Sequence, residues 1–363
     1  MAESKDMRAR LFYIDNLRWT MIFLVVSMHA ADTYSPLGNW YYTDRTPLSH
    51  ATLLFFAAWQ MYLQSFFMGL LFFVAGFFLP ASFDRKGPAR FLRDRAFRLG
   101  LPVLFYMFVL GPVTEYYVAH SWNSTKPTSM ANEWIKHIRN WEFLQENGPL
   151  WFCLALLIFS AAYVLWPGKR MLCGVPHTGQ LIGFAMLMAA ASFLVRAVRP
   201  PNFLNMHLRD FAQYILLFAA GICAARGGWL AELSFSSAMR WLAVVLPVGF
   251  AVWFALVTRH PRWEAAAFSA WESFTCVAIC LGLIVLFRDR FNSQGPVSRF
   301  LSDNAFSVYV FHPPIVILGA RMLHGVAWHP LLKFATLTVI GVVVSFALSA
   351  AVFRRIPLLR AIL

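Results

Sequence analysis

Runs of about twenty apolar residues recur from one end of this chain to the other, and they leave few folds open. In lipid every backbone N–H and C=O must be satisfied internally, which only helices and closed barrels achieve. Runs of this length suit helices, and the alternating ten-residue pattern of a barrel strand is absent. Ten spans are read, at about 18–37, 52–80, 96–119, 149–167, 180–196, 210–226, 239–258, 266–287, 301–322 and 331–352. The chain is 59% hydrophobic and only 13% charged, about half the charged share of a soluble domain. The fold class expected is an all-α integral membrane protein, a bundle of about ten transmembrane helices, with residues 1–363 forming a single domain.

Charge orients the bundle. The net charge of +14 could point to nucleic acid. In a chain this apolar it reads instead as basic cytoplasmic loops, and no nucleic-acid partner is expected. With the N-terminus inside, nineteen lysines and arginines fall on the cytoplasmic side and eleven outside, with Arg18 in neither group. Both termini are therefore expected in the cytoplasm, although Arg196, Arg199 and Arg209 fall on the outer side against the trend. No cleavable signal is read, because the first apolar run ends in His29 without a small-residue cleavage pattern. The longest loop, about 120–148, is expected outside. Its Trp134, Ile135, Ile138 and Trp141 suit a short helix lying on the membrane surface. Asn123-Ser124-Thr125 has the form of a glycosylation acceptor, relevant only in a eukaryotic secretory setting. The five cysteines are odd in number and include no C-x-x-C, so neither a disulfide framework nor a metal site is read.

The first span carries the most informative pattern, Y-I-D-N-L-R-W-T-M-I-F-L-V-V-S-M-H-A-A-D. Arg18 and His29 are eleven residues apart, on one helix face and separated by roughly 16 Å of rise. Asp15 and Asp32 fall near the same stripe at i,i+3 spacing. Ionisable groups gathered on one side of a membrane helix face protein or water. A neutral imidazole oriented by a carboxylate is suited to take a proton from a hydroxyl, so His29 is the first catalytic candidate. Arg95 and Arg98, in R-F-L-R-D-R-A-F-R-L-G-L-P, suit either a headgroup anchor or a clamp on a phosphorylated cytoplasmic ligand. Gly69 and Gly76 lie seven apart on one face of the second span, which suits close helix packing. Trp151 in G-P-L-W-F opens the fourth span, with Glu115, Glu142 and Glu146 near the same outer level. Glu272 lies in the eighth span. His312 precedes Pro313-Pro314 in the ninth, where it could serve chemistry or donate to a carbonyl that proline releases. No P-loop, G-x-G-x-x-G, G-x-S-x-G or H-E-x-x-H occurs, so a site has to be assembled from several helices. On residues alone, an enzyme and a proton-coupled exporter using His29, Glu272 and His312 stand level.

Taken together and in order, I-D-N-L-R with Arg18 and His29, the G-L-L-F-F-V-A-G-F-F run, Arg95-x-x-Arg98, G-P-L-W-F and Y-V-F-H-P-P-I resemble the membrane acyltransferase-3 family over nearly the whole chain, closest to its glucan-modifying, succinyltransferase-like branch. The resemblance implies an inner-membrane enzyme that moves an acetyl- or succinyl-type group from cytoplasmic acyl-CoA to a hydroxyl of a cell-envelope glycan or other carbohydrate. It implies His29 and Arg18 as the catalytic pair and Arg95 and Arg98 as donor-binding residues, with acyl-CoA the only cofactor-like ligand and no metal. Asp32, Trp151, Glu272 and His312 are candidates for the substrate path. One departure is visible: Ala75-Gly76-Phe77 stands where many members have Ser-Gly-Phe, so no role for that hydroxyl carries over.

Overall fold

Without water to bond the peptide groups, each apolar run closes its own ladder and becomes a helix. The computed structural model describes residues 11–38, 40–119, 129–166 and 173–360. The Asn123-Ser124-Thr125 sequence lies outside them. The described residues contain no strand, only an isolated bridge between Phe203 and Met206. The ten long segments are α1 (Phe12–Tyr34), α2 (His50–Lys86), α3 (Pro88–Tyr116), α4 (Gly148–Leu165), α5 (Thr178–Val198), α6 (Leu208–Gly227), α7 (Phe235–Arg259), α8 (Glu264–Arg290), α9 (Pro296–Met322) and α10 (Pro330–Arg355). Segments α2 to α10 are the nine helices among the described residues that are long and apolar enough to cross a membrane. Segment α1, with 23 residues, is the tenth long helix and the most polar inside. The five cysteines are free thiols.

The ends follow local chemistry. Helix α1 starts six residues before the expected Arg18 and stops at Tyr34, before Ser35-Pro36. The residue preceding a proline is disfavoured in the helical region, which ends the run there. Helix α2 does not end at Pro80 as expected. It begins at a Ser49 cap whose hydroxyl accepts from the Thr52 N–H, runs through Pro80, and stops at Gly87, whose φ of 71° suits glycine. Helix α3 contains two π-helical turns, Ala96–Gly100 and Tyr106–Leu110. Pro102 and Pro112 follow them, and each lacks the N–H that would keep the ladder in α register. Pro313 and Pro314 lie inside α9 without interrupting it.

Packing places α1 at the centre, against α2, α8, α9 and α10. Its start is pinned by Asn16, whose amide donates to the carbonyls of Phe291 (2.7 Å) and Ser293 (2.9 Å). Helices α2 and α6 pack most closely, and glycines permit it. A Cβ on Gly76 would lie 2.2 Å from the Phe218 carbonyl oxygen, and one on Gly221 would lie 2.1 Å from that of Phe73. Gly69 meets Leu217 on the same helix, so the seven-residue glycine spacing does mark one packing face. The surface helix runs Met130–Arg139, with Ile135, Ile138 and the following Trp141 exposed and His137 buried.

Candidate active site

Helix α1 presents His29 toward the centre of the bundle, and each of its neighbours constrains it. Nδ1 of His29 lies 3.1 Å from Oδ2 of Asp32, one turn on. The other oxygen of Asp32 accepts from Nε2 of Gln60 on α2 at 2.6 Å. Asp32 and Gln60 are both buried. Facing a carboxylate, Nδ1 carries the proton and Nε2 offers its lone pair. The chain then folds back over the pair. A Cβ on Gly38 would sit 2.0 Å from Oδ1 of Asp32, so glycine is what lets the loop close there. Trp40 stacks on His29 at 3.8 Å between centroids and 14° between planes. The His29 side chain keeps 21% of its surface exposed, so the ring is reachable rather than sealed.

His312 of α9 lies beside it. The two imidazoles are nearly parallel, 13° apart, with centroids 5.2 Å apart. Nδ1 of His312 faces the carbonyls of Tyr309 (2.9 Å) and Val308 (3.2 Å). The Tyr309 carbonyl is the one that Pro313 cannot serve, so the imidazole supplies the missing donor. Tyr309 in turn donates its hydroxyl to the carbonyl of Pro149, tying α9 to the start of α4.

The basic end of the bundle holds Arg95 and Arg98 at the start of α3. Arg95 is half-buried, with its guanidinium 5.3 Å from the Phe91 ring centroid, and Arg98 is exposed within the first π-helical turn. Among the described residues neither has a carboxylate within ion-pair distance, whereas Lys86 is held by Asp94 at 2.6 Å and Arg226 by Asp84 at 2.6 Å. Two neighbouring guanidiniums without a carboxylate suit a multiply charged anion.

The profile of the acyltransferase domain matches residues 11–351. The chain belongs to the membrane acyltransferase-3 family. It is an acyltransferase embedded in a membrane through many helices. It is similar to proteins named glucans biosynthesis protein C from Salmonella agona and Salmonella enteritidis. Both are 24% identical over 336 residues, covering 86% of this chain and 84% of theirs. No solved structure matches.

The remaining candidates of this acyltransferase fall in different places. Arg18 stays near the start of α1, 53% exposed and 3.8 Å from Asp15, rather than deep in the bundle. Roughly 16 Å of helix rise separates it from His29, so it does not touch the ring. Glu272 joins a buried ionic cluster in which Arg196 lies 2.5 Å from it and 2.9 Å from Asp210. Trp151 packs among Phe72, Phe152, His207, Phe211 and Tyr214, stacked on Tyr214 at 5.7 Å. Tyr41 bonds Tyr106 at 3.2 Å and meets Glu146. Burial and the adjacent Glu115 push Glu146 up to about 8. Glu115, His137 and Glu142 are the trio of the described residues whose donor atoms come within 4.8 Å, as a metal would require. Lys136, 3.9 Å from Glu142, already supplies positive charge there.

Gln60, Trp40 and Gly38 are the parts of the site that the sequence does not announce. Gln60 leaves one trace, an amide within an otherwise apolar run. The other two lie in a loop whose course no helical periodicity describes.

Proposed function

We propose that this acyltransferase moves an acetyl- or succinyl-type group from acyl-CoA in the cytoplasm to a hydroxyl of a cell-envelope carbohydrate, with His29 as general base. The observation that carries the proposal is the Gln60–Asp32–His29 chain, which leaves Nε2 as an open base on a partly exposed ring. The donor's phosphates engage Arg95 and Arg98 at the basic end, with Arg18 above them on the same side. The acyl-pantetheine arm rises between helices toward His29, a climb comparable to the roughly 16 Å between Arg18 and His29. The acceptor hydroxyl gives its proton to Nε2 as its oxygen bonds the acyl carbon, the C–S bond breaks, and the imidazolium returns the proton to the departing thiolate. On this reading the bundle sits in the inner (plasma) membrane with its basic end and both termini on the cytoplasmic side, as the charge bias favours. A glucan acceptor is favoured by the name of the Salmonella relatives. Family membership leaves the exporter reading without support.

The test is His29→Ala, compared with wild type by mass spectrometry of cell-envelope glycans from cells carrying each. The expected outcome is an acyl mass increment with wild type and none with the variant, while the variant inserts and extracts normally. An equal increment in both would overturn the assignment.

A further inference from the structure

His137, on the surface helix Met130–Arg139, is 1% exposed, and one of its nitrogens has no partner among the described residues. Its Nε2 lies 2.9 Å from the Met107 carbonyl oxygen. A carbonyl only accepts, so Nε2 carries the proton and Nδ1 of the neutral ring holds the lone pair. That lone pair meets another acceptor: Oε2 of Glu115 lies 3.5 Å away, outside hydrogen-bond geometry. Two facing acceptors, one of them buried, need a proton or a cation between them.

The surroundings favour the cation. One donor atom each from Glu115, His137 and Glu142 lie within 4.8 Å of one another. They come from the end of α3, the surface helix and the turn that follows it. Trp141, with φ at 60°, reverses the chain after the helix, and Nδ2 of Asn140 then donates to Oε1 of Glu142 at 3.0 Å. Ligands roughly 2.0 Å from a tetrahedral ion stand about 3.3 Å apart, so His137 and Glu115 already have that spacing and Glu142 has only to swing inward. The side chains of Glu115 and Glu142 are 41% and 38% exposed, which leaves an ion a way in from the surface. An imidazole whose other N–H is fixed on a backbone carbonyl is held in the tautomer that a metal needs. Lys136 is the competitor, with Nζ 3.9 Å from Glu142 and 3.7 Å from Glu133. Neither distance is a hydrogen bond, and Lys136 gives nothing to Nδ1 of His137.

We propose that Glu115, His137 and Glu142 bind one divalent transition-metal cation, of the Mn²⁺ or Zn²⁺ kind, which fastens the surface helix to the end of α3. An imidazole beside two carboxylates suits such ions better than Mg²⁺ or Ca²⁺, which take oxygen ligands. The site does not depend on reading His29 as the base.

The probe is Mn²⁺, titrated into chelator-treated full chain in phosphatidylcholine nanodiscs, with the free ion read from its six-line paramagnetic resonance spectrum. Wild type is expected to take up one tight equivalent per chain, which Zn²⁺ displaces. In His137→Gln the amide can still donate to the Met107 carbonyl, but the ring nitrogen that would ligate is gone. Glu142→Gln changes a half-exposed side chain on a surface turn. Each is expected to weaken Mn²⁺ binding by at least about tenfold, since even the loss of an outer-shell partner has that effect. Glu264→Gln, in the exposed His260–Glu264 pair, should leave binding unchanged. Added Mn²⁺ should raise the unfolding temperature of wild type, because the ion binds the folded chain, and should not raise that of Glu142→Gln. No tight equivalent in wild type would overturn the site, as would wild-type affinity in folded His137→Gln and Glu142→Gln. A loss in Glu264→Gln equal to that in Glu142→Gln would show an adventitious ion only and would overturn it too.

Discussion

Asp32→Asn tests the core of the site, because the structure dictates how the new amide would sit. Nε2 of Gln60 donates to Oδ1 of Asp32 at 2.6 Å, so the asparagine keeps its oxygen on that side. Its NH2 then faces Nδ1 of His29, where the carboxylate oxygen stood at 3.1 Å. An amide nitrogen only donates, so Nδ1 must become the lone-pair nitrogen and the proton moves to Nε2, which ends its service as a base. In the serine-protease triad, where the same exchange is a worked case, the wrong tautomer costs about 10⁴ in kcat. One escape exists here. If both amides flip, the tautomer is restored, but the Gln60 NH2 then occupies the buried position where its oxygen now has no partner. An unsatisfied buried group costs about 1–3 kcal/mol, or roughly ten- to a hundredfold. The expected loss in kcat therefore lies between about 10 and 10⁴, with KM for both substrates unchanged, measured as thiol release in nanodiscs beside a check of thermal stability. A kcat within threefold of wild type in a folded variant would refute the tautomer argument.

Three further outcomes follow from other parts of the molecule. Arg95→Ala and Arg98→Ala should each raise the KM for acyl-CoA by about tenfold or more with little change in kcat, since a charge-assisted hydrogen bond contributes about 1.5–3 kcal/mol. The Arg98 effect should shrink in high salt because that side chain is exposed, and an unchanged donor KM in both variants would remove the clamp. Glu146 is pushed from 4.5 to about 8 by burial and by Glu115. The folded state thus binds a proton that the unfolded chain has released, and stability is greatest below about pH 4.5 and declines as pH rises through 8. Unfolding temperature measured from pH 5 to 9 should fall less steeply in Glu146→Gln, and parallel curves would contradict this. Gly76→Ala forces a Cβ to within 2.2 Å of a backbone oxygen on α6. It should destabilise the bundle by about 3 kcal/mol in denaturant unfolding, and a neutral effect would mean that α2 and α6 can separate without cost.

Much of this was legible in the residues, and what was not has a physical reason. The i,i+3 relation of His29 and Asp32 and the seven-residue spacing of Gly69 and Gly76 are local periodicities, and a helix turns them directly into geometry. The span expected at about 52–80 stops short of the observed end at Lys86, because the residues past Pro80 carry little apolar signal. A membrane helix tolerates proline where neighbours re-satisfy the backbone. Gln60 and Trp40 reach His29 through tertiary contacts, and no local pattern fixes which turn of α2 or which loop residue arrives there. The three outer arginines that strained the charge count are partly explained. Arg196 is held by Glu272 and Asp210, so it acts as the counter-ion of a buried acid rather than as a free loop charge. The same contact accounts for an acid inside α8, which the sequence could assign only to a substrate path or to proton-coupled export.

His312 and His137 show why a histidine beside a proline is weak grounds for chemistry until its second nitrogen is located. Pro313 leaves the Tyr309 carbonyl without a donor, and His312 Nδ1 fills the gap at 2.9 Å. In α3 the Gly111 N–H is spent on Tyr106 and Pro112 has none to give, so the Met107 carbonyl is left open and His137 Nε2 fills it at 2.9 Å. Both rings repair a helix, and both lose the freedom to choose a tautomer. They differ in what remains. The other nitrogen of His137 lies 3.5 Å from Glu115, whereas the ring of His312 lies nearly parallel to that of His29 with centroids 5.2 Å apart. One repair ends beside a half-exposed carboxylate. The other leaves an acceptor beside the only imidazole that Asp32 orients.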